Sequence, residues 1–202
     1  MPRSTAYFKP ETLKYIQENF NTDTKILDIG AGCGTYSDFL KPLAYHNIDA
    51  VEAFEPYVEM FGLGNKYNRI YIGDVTSIDI NYQEYYNLII LGDVLEHIDQ
   101  STASNFTRKL ASVDHIIAVP FGGEQDAVYN NNYEIHRILD ITPMNFNEKF
   151  GNIYSPLCLR FDYGVFVNRQ VDTIYIENKE RPFPQEYMNH VMSLGIKIIK
   201  FI

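Results

Sequence analysis

The feature that most restricts this chain is a set of short, nearly continuous apolar runs: KILDIG (25–30), NIDAVE (47–52), YNLIILGD (86–93) and HIIAVP (115–120). Side chains alternate across a strand, so a strand apolar at successive positions is buried on both faces. Helical stretches separate the runs. PETLKYIQENF (10–20) has amphipathic spacing with Pro10 near its start, TYSDFLKPL (35–43) is cut short at Pro42, and PYVEMF (56–61) opens on a proline. RIYIGD (69–74) adds a strand and TASNFTRKLAS (102–112) a helix. This alternation specifies an α/β fold: a mainly parallel sheet with helices on both faces.

Beyond residue 120 the pattern loosens. FGGEQDAVYNNNYEIHR (121–137) is a long polar loop, and such loops in compact domains are functional or mobile. ITPMNFNEKF (141–150) reads as a helix, and LCLRF with YGVFVN as a hairpin turned at Asp162. The tail reads as strand (171–177), proline-marked loop, helix (184–194) and strand (196–202). It can extend the sheet, cover a site or form a subunit contact. The expected organisation is an N-terminal helical segment (1–23), a main domain (24–168) and a C-terminal strand–helix–strand appendage (169–202).

A chain of 202 residues with 46% hydrophobic composition can bury a sizeable core. A net charge of −9 opposes broad nucleic-acid binding, because a phosphate backbone needs a field of the opposite sign. No run approaches the roughly 18 apolar residues of a membrane span, and the N-terminus has no apolar signal region. Cys33 and Cys158 are the only cysteines, which points to a reducing, cytoplasmic setting. Nothing in the chain speaks to its oligomeric state.

The turn LDIGAGCG carries the first chemistry. Gly30, Gly32 and Gly34 permit left-handed backbone and close approach of a ligand, and the following helix offers free N–H groups. A dinucleotide turn places its third glycine where Thr35 stands here, and Asp28 beside a pyrophosphate is unfavourable, so a nicotinamide oxidoreductase is disfavoured. Asp28 instead suits a ligand with a positive amino group. Glu52 ends the second strand about 20 residues on, where an acid meets ribose hydroxyls in such folds. Asp74 ends the third strand and can accept from an exocyclic amine.

Together ILDIGAGCGTYS, IDAVEAFEPYVEMF, IYIGDV and YNLIILGDVLEHI resemble the class I S-adenosylmethionine-dependent methyltransferases over about residues 24–168. The resemblance implies a Rossmann-like fold with a mainly parallel seven-stranded sheet containing one antiparallel strand. It also implies S-adenosylmethionine as cofactor and a methyltransferase activity. In that reading Gly30, Gly32 and Gly34 hold the methionine part, and Glu52 the ribose. Asp74 takes the adenine amine, with Ala53, Phe54 and Val75 as the apolar slot. The backbone near Leu91 and Gly92 meets the methionine amino group. The 121–137 loop is similar to a segment in a group of bacterial and viral methyltransferases, matched here by Gln125, Asn131, Tyr133, Glu134 and His136. Asn130 and Asn132 replace that group's glycine and proline.

The acceptor end has several readings. His136, His97 and Glu134 are the candidate catalytic groups, with a histidine removing a proton where the acceptor has one to lose. A helix beginning at Asp93 or Val94 would put Glu96 and His97 on one face, three and four residues on. Asp93, Glu96, His97 and His136 then resemble the carboxylate-x-x-Glu-His clusters that hold a divalent ion in small-RNA 2′-O-methyltransferases and some quinone-pathway methyltransferases. A metal is possible but not favoured. In the plainer reading, Asp93 caps the helix with Glu96 as its capping-box partner. The favoured function is methyl transfer to oxygen or nitrogen of a small-molecule acceptor. The alternatives are a metal-assisted nucleic-acid-end methyltransferase and a non-catalytic cofactor-binding scaffold. His46, His115 and His190 read as structural.

Overall fold

The structure, a computed structural model, describes residues 5–151 and 153–202. Residues 1–4 of the expected N-terminal segment lie outside the described residues. Nine strands form one sheet: β1 (Ile26–Ile29), β2 (Ile48–Glu52), β3 (Ile70–Ile72), β4 (Leu88–Gly92), β5 (Asp114–Pro120), β6 (Ser155–Leu159), β7 (Tyr163–Val167), β8 (Thr173–Ile176) and β9 (Ile198–Phe201). Their order is β3-β2-β1-β4-β5-β7-β6-β8-β9. The helices among the described residues are α1 (Lys9–Asn19), α2 (Thr35–Leu40), α3 (Pro56–Met60), α4 (Tyr82–Tyr85), α5 (Gln100–Lys109), α6 (Phe146–Phe150) and the tail helix α7 (Gln185–Ser193). Strands β1 to β5 run parallel, β7 runs against both β5 and β6, and β8 and β9 follow β6 in parallel. One strand is therefore reversed, but the sheet has nine strands rather than the expected seven, because the tail contributes two.

The apolar runs divide between two cores as strand alternation requires. Leu27, Ile29, Ile89, Leu91, Ile117 and Val119 face one side. There they meet Ala103, Phe106 and Leu110 around α5 (Gln100–Lys109), Phe146 and Phe150 of α6 (Phe146–Phe150), and Val191 of the tail helix (Gln185–Ser193). Ile26, Ile48, Ala50, Leu88, Ile90, Ile116 and Ala118 face the other side, against Ile16 of α1 (Lys9–Asn19) and Tyr36 and Leu40 of α2 (Thr35–Leu40). Ile174 and Ile176 of β8 join the first core, so the tail shares the apolar interior of the main sheet.

Two expected helices start elsewhere. No helix begins at Asp93, whose φ of 58° is left-handed. A single 3-10 turn, Leu95–His97, follows it, and α5 starts only at Gln100. The cap is Asp99, whose carboxylate accepts from the Thr102 N–H at 3.1 Å. The chain stays irregular there because the Glu96 carbonyl is occupied from outside, by the N–H groups of Arg137 and Ile138. The 141–150 helix shortens to Phe146–Phe150 because Thr142 and Asn145 bond reciprocally, side chain to backbone. No described helix is long and apolar enough to cross a membrane.

Candidate active site

Register aligns the carboxyl ends of the central strands: Ile29 pairs with Val51 and Leu91, and Gly92 with Ala118. Residues leaving these ends share one rim, where ligands bind in open α/β sheets. A cavity of about 630 Å³ opens there, within the range of small-molecule sites. Its walls come from the glycine turn, the ends of β2 to β5, the loop after β5, the β6–β7 turn, and Thr5 and Tyr7 ahead of α1.

At one end, Gly30, Gly32 and Gly34 all take positive φ, of 72°, 52° and 81°. A Cβ on Gly30 would lie 2.5 Å from a Val94 methyl, so this position needs glycine for space as well as conformation. The Glu52 carboxylate bridges the turn to its own strand. One oxygen accepts from the Gly32 N–H at 2.8 Å and the other from the Phe54 N–H at 2.9 Å. Burial raises its pKa against these two donors. Asp74 accepts from both the N–H and the hydroxyl of Thr76, which fixes the turn after β3. Ala53, Val75 and Gly92 also line this part of the cavity.

Four residues expected at the cofactor stand behind the wall. Asp28 is buried and accepts from the Tyr67 hydroxyl at 2.5 Å, and burial pushes its pKa up to about 7. Its carboxylate is tied to Tyr67 and is not among the residues that line the cavity. Gly34 begins α2, Phe54 packs edge-on against Tyr57 at 4.9 Å between ring centroids, and Leu91 is fully buried.

The other end gathers the candidate acid–base groups. His136 Nδ1 lies 2.8 Å from the Gly123 carbonyl. A carbonyl only accepts, so Nδ1 carries a proton, and in the neutral ring Nε2 keeps its lone pair. The His97 ring stands edge-on to it, centroids 4.9 Å apart. Burial, then His136, pushes the His97 pKa down to about 4. Glu96 is 1% exposed, and burial followed by Asp93 drives its pKa well above the usual range. Glu134 accepts from Tyr57 and Gln125, both at 3.2 Å, and sits close enough to Glu52 to raise that group's pKa. Its carboxylate thus faces Glu52 as much as the histidines.

Single ligand atoms from Glu96, His97 and His136 lie within 4.8 Å of one another, close enough to share a cation. Asp93 is outside that group and accepts from the Thr5 backbone N–H. The loop matches are also brought together: Asn131 is buried, Gln125 bonds Glu134, and Tyr133 lines the cavity. Asn130, at the motif's glycine position, has φ 58°, a conformation asparagine tolerates better than most residues.

Several lining residues had no sequence signal. Tyr57 reads as an ordinary helix residue, Thr5 precedes the first helix, and Asp162 and Tyr163 read only as a hairpin turn. Only the packing of the hairpin beside β5 carries them to the rim. His115 is structural, bonded on both nitrogens to the Val113 carbonyl and the Tyr154 hydroxyl.

A family model described as a methyltransferase domain matches residues 3–118, more than half of the chain. No curated protein matches the sequence. Among solved structures the chain is similar to a Burkholderia thailandensis 1,6-didemethyltoxoflavin-N1-methyltransferase holding 1,6-didemethyltoxoflavin and S-adenosylhomocysteine. The identity is 16%, the TM-score 0.59, and the match covers 83% of this chain and 79% of that one. It is similar to the methyltransferase domain of a bacterial Hen1 protein, with 18% identity and a TM-score of 0.53, covering 80% of this chain and 99% of that one. It also matches a candidate O-methyltransferase from Nostoc punctiforme, with 18% identity and a TM-score of 0.54; 78% of this chain is covered, which spans only 55% of that one. Sheet order, one reversed strand and the matched family model lead to one conclusion: the chain belongs to the class I S-adenosylmethionine-dependent methyltransferases.

Proposed function

We propose that this methyltransferase transfers a methyl group from S-adenosylmethionine to an oxygen or nitrogen of a small-molecule acceptor, in the cytoplasm. One observation carries the reading: a single cavity joins the Gly30–Gly32–Glu52–Asp74 end to the His97–His136 end. The cofactor residues fit the group. The glycine turn presents backbone rather than side chains, Glu52 offers the lone pairs left by Gly32 and Phe54 to two hydroxyls, and Val75 with Ala53 supplies an apolar wall. Bound S-adenosylmethionine supplies an activated methyl group on a sulfonium.

The chain's own part is positioning, exclusion of water and proton removal. Thr5 and Tyr7 cover the cavity, the first tied to Asp93 and the second stacked on the Arg160 guanidinium at 3.6 Å. His136 Nε2 takes the acceptor's proton, with the neutral ring of His97 beside it. Two free cysteines fit a reducing compartment, and the net charge of −9 fits a small acceptor better than a nucleic acid. The neighbour that holds 1,6-didemethyltoxoflavin adds support for a small acceptor. Calorimetry with S-adenosylhomocysteine tests the cofactor half; absence of binding by the wild-type protein would reject it.

A second reading rests on the Glu96–His97–His136 cluster, in which those three side chains hold a divalent ion that activates the acceptor. The Nδ1–H donated to Gly123 orients His136 as metal-bound histidines are oriented. Turnover that survives chelation and His97→Ala would eliminate this reading.

A further inference from the structure

The two ends of the cavity differ in what they leave unsatisfied. At the cofactor end the carboxylates of Glu52 and Asp74 already accept hydrogen bonds from the protein. At the acceptor end Glu96 lines the cavity with its side chain 1% exposed, and no other residue donates a hydrogen bond to either carboxyl oxygen. The neutral His97 ring stands with Nε2 3.8 Å from a Glu96 oxygen, beyond hydrogen-bond range. A buried carboxyl group without a donor is costly, and a ligand that brings the donor removes that cost.

The surroundings are complementary to a donor and hostile to an anion. Asp93 and Asp162 also line this end. Arg137 is the one lysine or arginine among the described lining residues, and it is exposed. Arg160, paired with Asp162 and Glu180 and covered by the Tyr7 ring, is not among the lining residues. Phosphate and carboxylate recognition calls for arginine forks or lysines facing the ligand, and this wall presents carboxyl groups instead.

We infer that the acceptor is a neutral or cationic nitrogen base, an amine, amidine or amino-substituted heterocycle, that donates N–H to Glu96 and carries no phosphate or carboxylate beside the reacting atom. The inference rests on the first reading above, with no metal ion at Glu96. It makes Glu96 a specificity-determining residue.

The test uses the full chain saturated with S-adenosylhomocysteine, in buffer containing a chelator. Benzamidine and benzylamine are compared with benzoate and phenyl phosphate by calorimetry and ligand-observed NMR. Failure of S-adenosylhomocysteine itself to bind counts against the cofactor reading and is seen before any probe is added. The expected result is that the two cations bind the complex and the two anions do not. Glu96→Gln should weaken benzamidine about tenfold or more and leave S-adenosylhomocysteine affinity in place. Anions binding as tightly as cations, no binding by either class, or benzamidine indifferent to Glu96→Gln would each overturn it. So would cation binding that returns only when Mg²⁺ or Mn²⁺ replaces the chelator. If Glu96→Gln does not fold, the wild-type comparison of cations with anions still decides.

Discussion

His97 and His136 meet edge to face across the cavity floor, ring centroids 4.9 Å apart at an interplanar angle of 62°. They come from different connections, the turn after β4 and the loop after β5, and the docking of Arg137 and Ile138 N–H on the Glu96 carbonyl holds them together. The pair is not equivalent. His136 has a defined tautomer with Nε2 available, whereas His97 is held neutral by burial and by its neighbour. His136→Ala should therefore lower kcat by about 10²- to 10⁴-fold and leave S-adenosylhomocysteine affinity within about twofold. The measurement is S-adenosylhomocysteine release with an acceptor found among nitrogen bases. An equal loss of kcat and cofactor affinity would mean that the ring supports the loop instead of the chemistry.

Glu52→Ala should weaken S-adenosylhomocysteine binding by about ten- to hundredfold, the worth of one or two hydrogen bonds to a charged group. The substitution removes the bridge to Gly32 and Phe54 as well as the acceptors for the ribose. Glu52→Gln separates the two roles, because an amide keeps one acceptor oxygen and loses the other. Calorimetry on both variants should rank them wild type, Gln, Ala.

Gly30→Ala should destabilise the protein by about 1–3 kcal/mol, from overpacking and left-handed strain together. The new Cβ would sit 2.5 Å from a Val94 methyl at φ 72°. Val94 lines the cavity, so cofactor affinity should fall with stability. Adding Val94→Ala removes the clash but not the strain, and should recover part of the loss in urea unfolding. No recovery would place the whole cost in the backbone.

The legible part of this molecule was the part written in local pattern. Continuous apolar strands, prolines at helix starts and stops, and three glycines in one turn each act within a few residues, so the sheet and its glycine–Glu52 end could be read directly. Asp93 shows where that ends. Its spacing to Glu96 has the form of a capping box, but the Glu96 carbonyl is taken by Arg137 and Ile138 from some forty positions away, and no helix forms. Asp28 shows the same limit. As a carboxylate beside the glycine turn it reads as a ligand group, and only the position of Tyr67 reveals that it is already engaged. Strands β8 and β9 were readable as strands, but extending this sheet was only one of three places open to them, since the pairing of β8 with β6 and of β9 with β8 depends on non-local packing.

Asp28 makes a pH-dependent contribution whose sign follows from its burial. Its pKa stands near 7 in the folded chain against 3.8 as an ordinary aspartate. Over that window the folded state keeps a proton that the unfolded state has released. The stability from Asp28 is full below the lower value and is lost as pH rises through the upper one. The upper limit of the loss is roughly 4 kcal/mol. Asp28→Asn keeps an acceptor for the Tyr67 hydroxyl and has no proton to lose. The difference in unfolding free energy between variant and wild type should thus shift in favour of the variant as pH rises from acid to neutral. A pH-independent difference would show that folding leaves the Asp28 pKa unshifted.

Arg160 links the tail to the cavity. Its side chain is 2% exposed; Nε lies 2.5 Å from Asp162, Nη2 donates to Glu180 at 2.8 Å, and the guanidinium covers the Tyr7 ring at 3.6 Å. Tyr7 and Asp162 line the cavity, while Glu180 stands on the segment between β8 and the tail helix. Removing one partner of a fully buried ion pair costs about 3–5 kcal/mol. Here Asp162 and Glu180 are 43% and 62% exposed and can rehydrate, so Arg160→Ala should cost nearer 2 kcal/mol and lower Tm by about 4–8 °C. Glu180→Gln removes only the exposed half of the arrangement and should stay within about 0.5 kcal/mol of wild type. Scanning calorimetry of the two variants decides between the contacts. A Glu180→Gln loss as large as that of Arg160→Ala would put the energy in the tail contact, whereas the burial of Arg160 against Asp162 and Tyr7 puts it at the rim of the site.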